Sequence, residues 1–513
     1  MNHYNQLLKT LGFTVDPFAK TNADEEEKLE DYFIEPPFFR AVKGDITTPK
    51  STVVFAPMGA GKTALKRKIE LTSEHEPILC LTYNKFNTQG IQLSDIDQGY
   101  HMRNIVRLVL VGVLALLNNE NVDKLTTDDR HYVYLFVNQY LSEIEKSEIK
   151  DAVASVTNIT DKAKEWWNRL LGPVSFGINI LLNAIGIKGS EIRGFSLSAG
   201  NLGSYRDQLS ILKSIAQKLG RPSIYILIDK VDETELTGTS TTTYQFIKPI
   251  LFDLQTLEMP GIAFKFFLRD FLRDYYFENG RPDRVKPYSL SWTTDQLMTM
   301  LSKRLQAFSE KRVSSFSSIC NLPTEFRNYN IDRIIAMFAQ GSPRNVIRIC
   351  KDILDCQSEI DYSAKAISVD AITNGLEEFS KTYSLEVALR NINELQKLTR
   401  VAFSVSYIAN DIYKVSTQAA NSKVKVWREK DIIELLGTVP GGKKRPVNYY
   451  AIKHLLVAKH IFNKIPVFDF LDKKVRVCTC GEVLLRDWDV NHSQLCHRCQ
   501  KIVDTYTTES VLR

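Results

Sequence analysis

A loop of eight residues constrains this chain more than any other feature, and it reads Ala56-Pro57-Met58-Gly59-Ala60-Gly61-Lys62-Thr63. A strand-like apolar run precedes the loop, and a helix-like run that begins at Ala64 follows it. Gly59 and Gly61 allow the backbone to curl, so that successive N–H groups and the N-terminus of the helix point at one anion. This order of elements predicts a phosphate-binding loop in which Lys62 reaches the β- and γ-phosphates of a nucleotide and the Thr63 hydroxyl contacts Mg²⁺.

The loop departs from the usual pattern at one position, where Ala56 replaces the first glycine. One methyl group is a small change, because the inner Gly-Ala-Gly-Lys-Thr is intact. A chance Gly-Lys-Thr in an ordinary turn is the alternative, and the flanking strand and helix argue against it. The predicted nucleotide-binding set is therefore the run of residues 56–64, with Ala64 included.

Length, charge and cysteine use set limits on the rest of the chain. Its 513 residues are too many for one core and predict several domains. The net charge is +6, but residues 423–476 carry 13 Lys/Arg against 5 Asp/Glu, an excess of +8 that leaves about −2 for the remainder. The first residues show no signal-peptide pattern, and four of the eight cysteines are scattered as in a reducing compartment, which predicts a cytoplasmic protein.

Two apolar runs, 105–117 and 170–187, are the candidates for contact with a membrane. The first is short and contains Arg107, and the second contains Pro173 together with several Gly and Asn residues. Neither matches a span of about 20 consecutive apolar residues. Buried helices are therefore the favoured interpretation, and a hairpin within a membrane or at its surface is the alternative for the second run.

Four segments predict a parallel sheet, and they are Thr52–Phe55, Pro77–Thr82, Ser223–Asp229 and Ala263–Leu268. The last two are nearly continuous apolar runs, which is typical of parallel strands covered on both faces. A long and mostly helical stretch separates the second strand from the third. Because it is much longer than an ordinary crossover, it predicts an inserted helical region at about 98–205.

The third predicted strand ends in acidic residues that suit a metal-dependent phosphate site. Asp229 stands at the tip of this strand, where it is predicted to hold the Mg²⁺ shell through water. Asp232 and Glu233 follow and are the candidates for polarising an attacking water. Arg269 follows the fourth strand, at the position of a γ-phosphate sensor, and the alternative is a solvated start of a charged helix.

Helical patterns dominate the chain beyond the sheet and predict an α-helical lid. The run 294–308 places leucines on one face, and Gly341-Ser342-Pro343-Arg344 opens another helix with proline in its first turn. In a lid domain Arg344 would contact the nucleotide phosphates. The alternative is an ordinary surface arginine.

A small basic domain is predicted between the lid and the C-terminus. Its predicted elements are helices at Leu385–Leu398, Arg428–Leu436 and Tyr449–Phe462 and a strand at Lys473–Val477. Helices with a basic turn and a late strand fit a winged helix, in which Lys443, Lys444 and Arg445 contact a phosphate backbone. A solvated loop in a protein-interaction domain is an equal alternative.

Four cysteines near the C-terminus have the spacing of a metal site, and they are Cys478, Cys480, Cys496 and Cys499. Two pairs at this separation form a tetrahedral thiolate site, which predicts structural Zn²⁺ with no open position for catalysis. The first pair is Cys-x-Cys, so His492 or His497 stays open as a replacement ligand. A disulfide pair or free thiols would also be consistent with this spacing.

Together these motifs resemble the additional-strand P-loop ATPases, namely the AAA+ group and the related STAND and KAP NTPases. The run Asp229-Lys230-Val231-Asp232-Glu233 is similar to the STAND form, with Lys230 where many AAA+ proteins have the catalytic Glu. Glu233 is then the first candidate for the water-activating acid and Asp232 the second. Arg269 resembles the STAND sensor arginine, and the motif ending in Arg344 is similar to the second sensor of initiator-type AAA+ proteins, whose lids are often followed by a winged helix.

ABC ATPases are a competing family. Leu197-Ser198-Ala199-Gly200 precedes Asp229 by roughly the distance of an ABC signature, and Gln89 has the place of a Q-loop. Lys230 occupies the position where ABC ATPases have Glu, and they lack the Gly-Ser-Pro-Arg lid motif. The AAA+ and STAND resemblance is therefore preferred.

The resemblance implies an α/β P-loop NTPase core with a parallel sheet, followed by further domains. The predicted divisions are an N-terminal extension (1–45), the ATPase core (46–300), a helical lid (301–384), a winged-helix-like domain (385–475) and a zinc ribbon (476–513). It implies a homo-oligomeric ATPase that uses ATP and Mg²⁺ and engages nucleic acid or a partner protein, of the kind found in prokaryotic phage-defence loci. Two alternatives are a slowly hydrolysing switch that serves a separate effector protein, and a nucleic-acid-binding protein with a regulatory ATP site.

Overall fold

The structure is a computed structural model. It describes residues 3–117, 121–141, 150, 153, 156, 202–388, 391–439, 446–488, 493–496 and 499–504. Chain packing divides it into two units, Glu35–Ser291, named here the core unit, and Met1–Ile34 with Trp292–Arg513, named the C-terminal unit. The domain boundaries expected at residues 45, 300, 384 and 475 stay predictions.

The first two helices, α1 (His3–Thr10) and α2 (Leu29–Tyr32), belong to the C-terminal unit. The core unit then alternates strands and helices as a parallel sheet requires. Its elements are α3 (Phe39–Lys43), β1 (Thr52–Ala56), α4 (Lys62–Ser73), β2 (Ile78–Tyr83), α5 (Gln98–Leu116), α6 (Thr127–Leu141), α7 (Tyr205–Lys218), β3 (Ser223–Ile228), α8 (Ser240–Leu251), α9 (Leu254–Leu257), β4 (Ile262–Arg269), α10 (Arg273–Asn279) and β5 (Lys286–Ser289).

The five strands of the core unit form one parallel sheet in the order β2-β3-β4-β1-β5. All four strands predicted from the apolar runs are confirmed, and β1 to β4 are buried along nearly their whole length. β4 lies between β1, which carries the glycine loop, and β3, which carries the acidic residues. This is the added strand that the resemblance implies, so the α/β P-loop core is confirmed.

The apolar run at 105–117 lies in α5, which packs against β2 and α7. Within the described residues, α5 is the one helix that is long and apolar enough to cross a membrane, and 67% of its most apolar window is buried in the protein. Its apolar side chains face the main hydrophobic core, as the buried-helix interpretation expects. The second run, 170–187, the predicted helix at 159–171 and the ABC-like residues 197–200 lie outside the described residues.

The C-terminal unit continues with the helices α11 (Thr294–Phe308), α12 (Ile331–Phe338), α13 (Pro343–Asp361) and α14 (Val369–Ala388). Arg304 of α11 is buried, pairs with Glu26 and donates to the carbonyl of Pro17. Its guanidinium also lies 4.6 Å from the ring centroid of Tyr32. The N-terminal segment therefore packs on helix α11.

A winged-helix-like domain follows, and its elements are α15 (Ile392–Leu395), β6 (Ala402–Ser404), α16 (Val405–Tyr407) with a π-helical turn (Ile408–Tyr413), α17 (Thr417–Glu429), β7 (Ile433–Val439) and β8 (Val447–Ile452). The three strands form an antiparallel sheet in the order β6-β8-β7. Two successive helices joined by a short turn, followed by a hairpin, make a helix-turn-helix with a wing. Trp427 of α17 is fully buried beside Phe403, which fixes this helix on the sheet.

The helix positions expected in this domain are wrong at three places. The run Leu385–Leu398, expected as one helix, contains the end of α14 and the short helix α15. The run Arg428–Leu436, expected as a helix, is the end of α17 and the start of β7, because Asp431 adopts a left-handed backbone with φ of 57° and stops the helix. The run Tyr449–Phe462 divides into β8 and helix α18 (Leu455–Ile461). Short apolar runs do not distinguish a strand from a buried helix, so the winged-helix expectation was right and its element positions were not.

The chain ends in helix α19 (Val467–Lys474) and four short strands, β9 (Val475–Val477), β10 (Val483–Leu485), β11 (Ser493–Leu495) and β12 (Ile502–Asp504). β9 pairs with β10 and β11 pairs with β12, in two antiparallel hairpins. The predicted strand 473–477 therefore begins two residues later than expected, because Lys473 and Lys474 still belong to a helix.

One buried histidine joins the sheet to the helices that cover it. Nδ1 of His101 lies 3.1 Å from the Tyr83 hydroxyl, and Nε2 lies 2.8 Å from the Phe246 carbonyl. Nε2–H donates to the carbonyl, and Nδ1 then accepts from the tyrosine, which is the arrangement of a neutral ring. Burial lowers the pKa of His101 to about 4, although the Phe246 carbonyl opposes this shift.

We predict that His101 makes the core unit sensitive to acid. Because its pKa is lower in the folded protein than in the unfolded chain, the unfolded chain binds the extra proton first, so stability is complete above pH 6.5 and falls as the pH approaches 4. The loss should reach up to about 3 kcal/mol. Urea titrations read by pulse proteolysis of the core unit at several pH values measure it. His101→Gln should make the free energy of unfolding less dependent on pH, whereas the control His75→Gln, at an exposed histidine, should not. Equal pH dependence of the free energy of unfolding in the wild type and both variants would contradict the role of His101.

Candidate nucleotide-binding site and cysteine cluster

The glycine loop joins β1 to α4 as the sequence predicts. β1 ends at Ala56 and α4 begins at Lys62, so the loop turns sharply above the carboxyl end of the sheet. Gly59 and Gly61 have φ of 76° and 94°, in the left-handed region that side chains disfavour. The first N–H groups of α4 and its dipole therefore face the loop and form a site for an anion.

Lys62 lies across the loop that precedes it. Its Nζ donates to the carbonyls of Ala56 and Pro57 at 3.2 and 3.4 Å. Burial lowers the pKa of the Lys62 amine, and the carboxylates of Asp232 and Asp229 oppose that shift. The amine is thus held inside the loop, close to acidic groups, where it can exchange a carbonyl for a phosphate oxygen.

Asp229 meets the loop from the neighbouring part of the sheet. It follows the last residue of β3 and is 1% exposed. The Thr63 hydroxyl donates to Asp229 Oδ2 at 3.1 Å, and the Lys230 amide donates to Oδ1 at 3.0 Å. Burial raises the pKa of Asp229, while the charge of Lys66 is the strongest influence in the other direction. A hydroxyl and a carboxylate in contact at this place are oxygen donors that fit Mg²⁺.

Arg269 and Asp232 form an ion pair beside this site. Arg269 ends β4 directly opposite Ala56 in the strand register, and its NH1 lies 3.3 Å from Asp232 Oδ2. Its guanidinium also lies 5.0 Å from the ring centroid of Phe271. Both charges influence the pKa of Lys62, so they lie near the loop. The structure thus brings together five predicted residues, namely Lys62, Thr63, Asp229, Asp232 and Arg269.

Glu233, the other predicted acid, is exposed and lines a cleft of about 640 Å³. The cleft lies between the segments that follow β2 and β3, and its other lining residues are Asn84, Phe86, Asn87, Thr88, Gln89, Lys230, Thr234 and Glu235. Lys230 has a φ of 60°, an uncommon backbone for a non-glycine residue, at the point where the chain turns from Asp229 to Glu233. The two candidate acids therefore have different surroundings.

Two residues near the site were missed by the sequence analysis. Asn84 directly follows β2 and faces the cleft, at the carboxyl edge where ligands bind in parallel sheets. Lys66 is 3% exposed, one helical turn after Lys62. The helical spacing of Lys62, Lys66 and Glu70 on one face of α4 is the signal that identifies it.

Lys66 belongs to a buried network behind the loop. Its Nζ lies 3.4 Å from Glu70 Oε1, an oxygen that also accepts from the Thr82 hydroxyl. Arg67 donates to the second oxygen of Glu70 at 3.2 Å. This network fixes the first turns of α4 against β2, and it places a positive charge near Asp229.

Arg344 lies in the other unit. It is exposed in the first turn of α13, where Pro343 follows the N-cap residue Ser342 as the sequence predicts. Ser342 Oγ accepts from the Asn345 amide at 3.2 Å. The part that Arg344 plays toward the phosphates stays a prediction.

The basic excess of residues 423–476 is partly neutralised by acids elsewhere in the unit. Lys423 pairs with Glu394, Lys459 lies 2.9 Å from Glu377, and Lys474 lies 2.8 Å from Asp487. The turn residues Lys443, Lys444 and Arg445 lie outside the described residues. The described surface therefore carries fewer uncompensated positive charges than the sequence count indicates.

The four C-terminal cysteines converge at the ends of the two hairpins. Their sulfur atoms all lie within 4.8 Å of one another, with Cys478 and Cys499 3.4 Å apart and Cys480 and Cys496 3.7 Å apart. Thiolates around one Zn²⁺ at about 2.3 Å would be about 3.8 Å apart. Burial raises the pKa of Cys478, but hydrogen bonds from the Cys480 amide and the neighbouring thiols lower it to about 7 overall. The donor set therefore fits a structural zinc ion, and His492 and His497 lie outside the described residues.

No family model and no curated protein sequence matches the chain. Among solved structures, the ORC1 protein of Aeropyrum pernix in complex with DNA is similar, with a TM-score of 0.35 and 10% sequence identity. The match covers 88% of this chain and 98% of that chain. This likeness is distant and assigns no function to the chain.

We predict that Lys66→Met destabilises the core unit. The substitution removes the more buried of the two cations that pair with the Glu70 carboxylate and leaves Arg67 as the other, which should cost about 1 to 3 kcal/mol. Adding Glu70→Gln removes the incompletely paired charge and should restore part of the loss. Urea unfolding at neutral pH measures both variants. A double variant no more stable than Lys66→Met alone would show that the ion pair is not what holds α4.

Proposed function

We propose that this protein is a Mg²⁺-dependent ATPase whose nucleotide state governs its engagement of nucleic acid. The observation that carries the proposal is the contact between Thr63 and Asp229, which joins the end of the glycine loop to the acidic end of β3. That pair supplies a hydroxyl and a carboxylate at one point. Lys62 and the N-terminus of α4 supply positive charge at the same point. The binding of a nucleoside triphosphate with Mg²⁺ requires these oxygen donors and these positive charges.

The residues divide the work of phosphoryl transfer as follows. The amides of residues 58–63 and the Lys62 amine bind the β- and γ-phosphates. Thr63 and Asp229 hold Mg²⁺, which when bound neutralises charge on the phosphate oxygens. Arg269 contacts the γ-phosphate, and Asp232 is a positioning residue that holds its guanidinium toward the loop. Glu233 orients the attacking water.

The ion pair of Asp232 with Arg269 also supports a second candidate function. An acid engaged by a cation is a poor proton acceptor, and Lys230 stands where a catalytic glutamate is common in related ATPases. A slowly hydrolysing switch that binds ATP and recruits a separate effector protein would have these features. Tight ATP binding with turnover near zero would select this candidate.

We also propose that α17 enters the major groove of DNA. It is the second helix of a helix-turn-helix, the position of the base-reading helix in that motif. Its exposed face carries Gln418, Asn421, Ser422, Lys425 and Arg428. Amide and guanidinium groups read base edges, and lysine and serine bind phosphates. The basic turn at residues 443–445 would add phosphate contacts from the wing.

The cysteine cluster is proposed to hold one structural Zn²⁺ through four thiolates, since the sulfur spacing suits a tetrahedral ion. A homo-oligomeric state, a cytoplasmic location, a role in phage defence and the use of Arg344 as a second sensor are proposals that rest on the resemblance of the motifs.

We predict that Lys62→Ala weakens ATP binding strongly, because the loop loses the amine that contacts the phosphates. Affinity for ATP should fall on the order of 100-fold, measured by titration calorimetry with Mg²⁺. Lys68→Ala, on the same helix, is the matched control and should bind normally. An affinity for ATP in the Lys62→Ala protein equal to that of the wild type would overturn the loop assignment.

Calorimetry of ATP binding together with an assay of ATP turnover distinguishes the two acids. Glu233→Gln should keep ATP binding and lose turnover, whereas Asp232→Asn should change affinity for ATP only when Arg269 is present. A double-mutant cycle of Asp232→Asn with Arg269→Ala measures that dependence. A normal rate in the Glu233→Gln protein would remove Glu233 as the water-orienting residue.

We predict that Lys425→Ala with Arg428→Ala weakens binding to duplex DNA. The salt dependence of log K should become shallower by about 1, since the lost phosphate contact of Lys425 removes about one released ion, and the loss of the Arg428 guanidinium should reduce discrimination between base sequences. Lys473→Ala, at an exposed lysine of α19, is the control. Unchanged affinity and salt dependence in the double variant would exclude α17 as the DNA-contacting helix.

A further inference from the structure

The hairpin of β9 and β10 has two ends with different surroundings. Its turn contains Cys478 and Cys480 and is closed by two backbone bonds, from the Cys478 amide to the Glu482 carbonyl and from the Gly481 amide to the Cys478 carbonyl, both 2.8 Å. Its open end is formed by Lys474, just before β9, and Asp487, just after β10. The cysteine cluster and the open end are therefore the two ends of one short hairpin.

Asp487 at the open end is tied to the winged-helix-like domain. It is 6% exposed, and its carboxylate accepts from the amides of Val401 and Ala402 at 2.9 and 3.0 Å. The same carboxylate accepts from Lys474 Nζ at 2.8 Å. The Asp487 carboxylate thus accepts hydrogen bonds from the backbone amides at the start of β6, and its negative charge is neutralised by the buried lysine.

Arg486 ties the hairpin to the opposite side of the same sheet. It is buried, its amide donates to the Lys474 carbonyl at 2.9 Å, and its NH2 lies 3.7 Å from Glu434 of β7. Because the strand order is β6-β8-β7, the hairpin contacts both outer strands of the sheet. β7 and β8 are the strands that carry the basic turn.

The cysteines lie close to Asp487 and Arg486, the hairpin residues that contact the sheet. Trp488, which follows Asp487, packs with Cys478, Cys496 and Val503 in a small hydrophobic cluster. Three-residue strands in a two-stranded hairpin are not stable alone in water. A metal held by four thiolates would therefore supply much of the free energy that orders this hairpin.

We propose that the cysteine-bearing hairpin is a brace, through which metal binding at the cysteines controls the order of the wing sheet and hence its affinity for nucleic acid. When the turn is held by metal, Asp487 and Arg486 are fixed and both outer strands are anchored. When the turn loosens, the amides of Val401 and Ala402 lose their acceptor and β7 loses a charge partner. The proposal rests on the zinc site and on nucleic-acid binding as proposed above.

Hydrogen exchange of the full-length protein, read by mass spectrometry, tests the brace directly. Removal of zinc with a chelator should raise exchange in peptides covering residues 399–404 and 433–439 by at least about tenfold. Asp487→Asn should raise exchange in the same peptides while one zinc per chain is retained, as measured colorimetrically. Asp469→Asn, at an exposed acid of α19, should change neither. Affinity for duplex DNA should fall in the chelated protein and in Asp487→Asn together.

Each result bears on a separate claim. Exchange that stays at the wild-type level in both peptides of Asp487→Asn would overturn the brace. Exchange that rises in Asp487→Asn but not on chelation would show that the hairpin braces the sheet without metal control, and would also overturn the proposal. A protein that contains no zinc as purified would refute the zinc site itself, which is a distinguishable failure.

Discussion

The hydrogen bond between Thr63 and Asp229 is the contact on which the core unit's chemistry depends. Thr63 follows the loop that leaves β1, and Asp229 follows β3. These two strands are not neighbours in the sheet, because β4 lies between them. The contact therefore requires the parallel order of all three strands and the sharp turn made by the glycines. It also brings a hydroxyl and a buried carboxylate together, and a divalent cation is the ligand that suits such a pair.

Charges around this contact are arranged in a nearly balanced set. Burial would favour a neutral Asp229 and a neutral Lys62, and the neighbouring opposite charges act against both shifts. Lys66 and Glu70 lie below the loop, and Asp232 and Arg269 lie beside it. A nucleotide bound as proposed would bring negative charge to cations that already have carboxylate partners, so its binding would rearrange these pairs as well as fill the loop.

The sequence predicted the core sheet well and the small domains less well, for physical reasons. The buried strands are continuous apolar runs, and the glycine loop allows one local geometry, so both give strong patterns. In the winged-helix-like domain the run that follows Glu429 is apolar in a way that suits a helix or a strand. The left-handed turn at Asp431 decides between them, and sequence pattern does not identify such a turn. The contacts of Asp487 arise from tertiary packing, which no local pattern encodes, whereas the spacing of Lys66 and Glu70 is a local helical pattern that the sequence analysis missed.

The measurement that tests the central claim most directly is ATP turnover by the purified full-length protein, with and without Mg²⁺ and with and without duplex DNA. The account predicts ATP turnover that requires Mg²⁺, since Thr63 and Asp229 would hold the metal. It also predicts that the turnover rate rises when DNA is added, since DNA bound to the winged-helix-like domain would change the activity of the core unit. Failure to bind ATP in the presence of Mg²⁺ would contradict the assignment of the nucleotide site itself. ATP bound and hydrolysed at a rate indifferent to DNA would leave the nucleotide site standing and refute its coupling to nucleic acid.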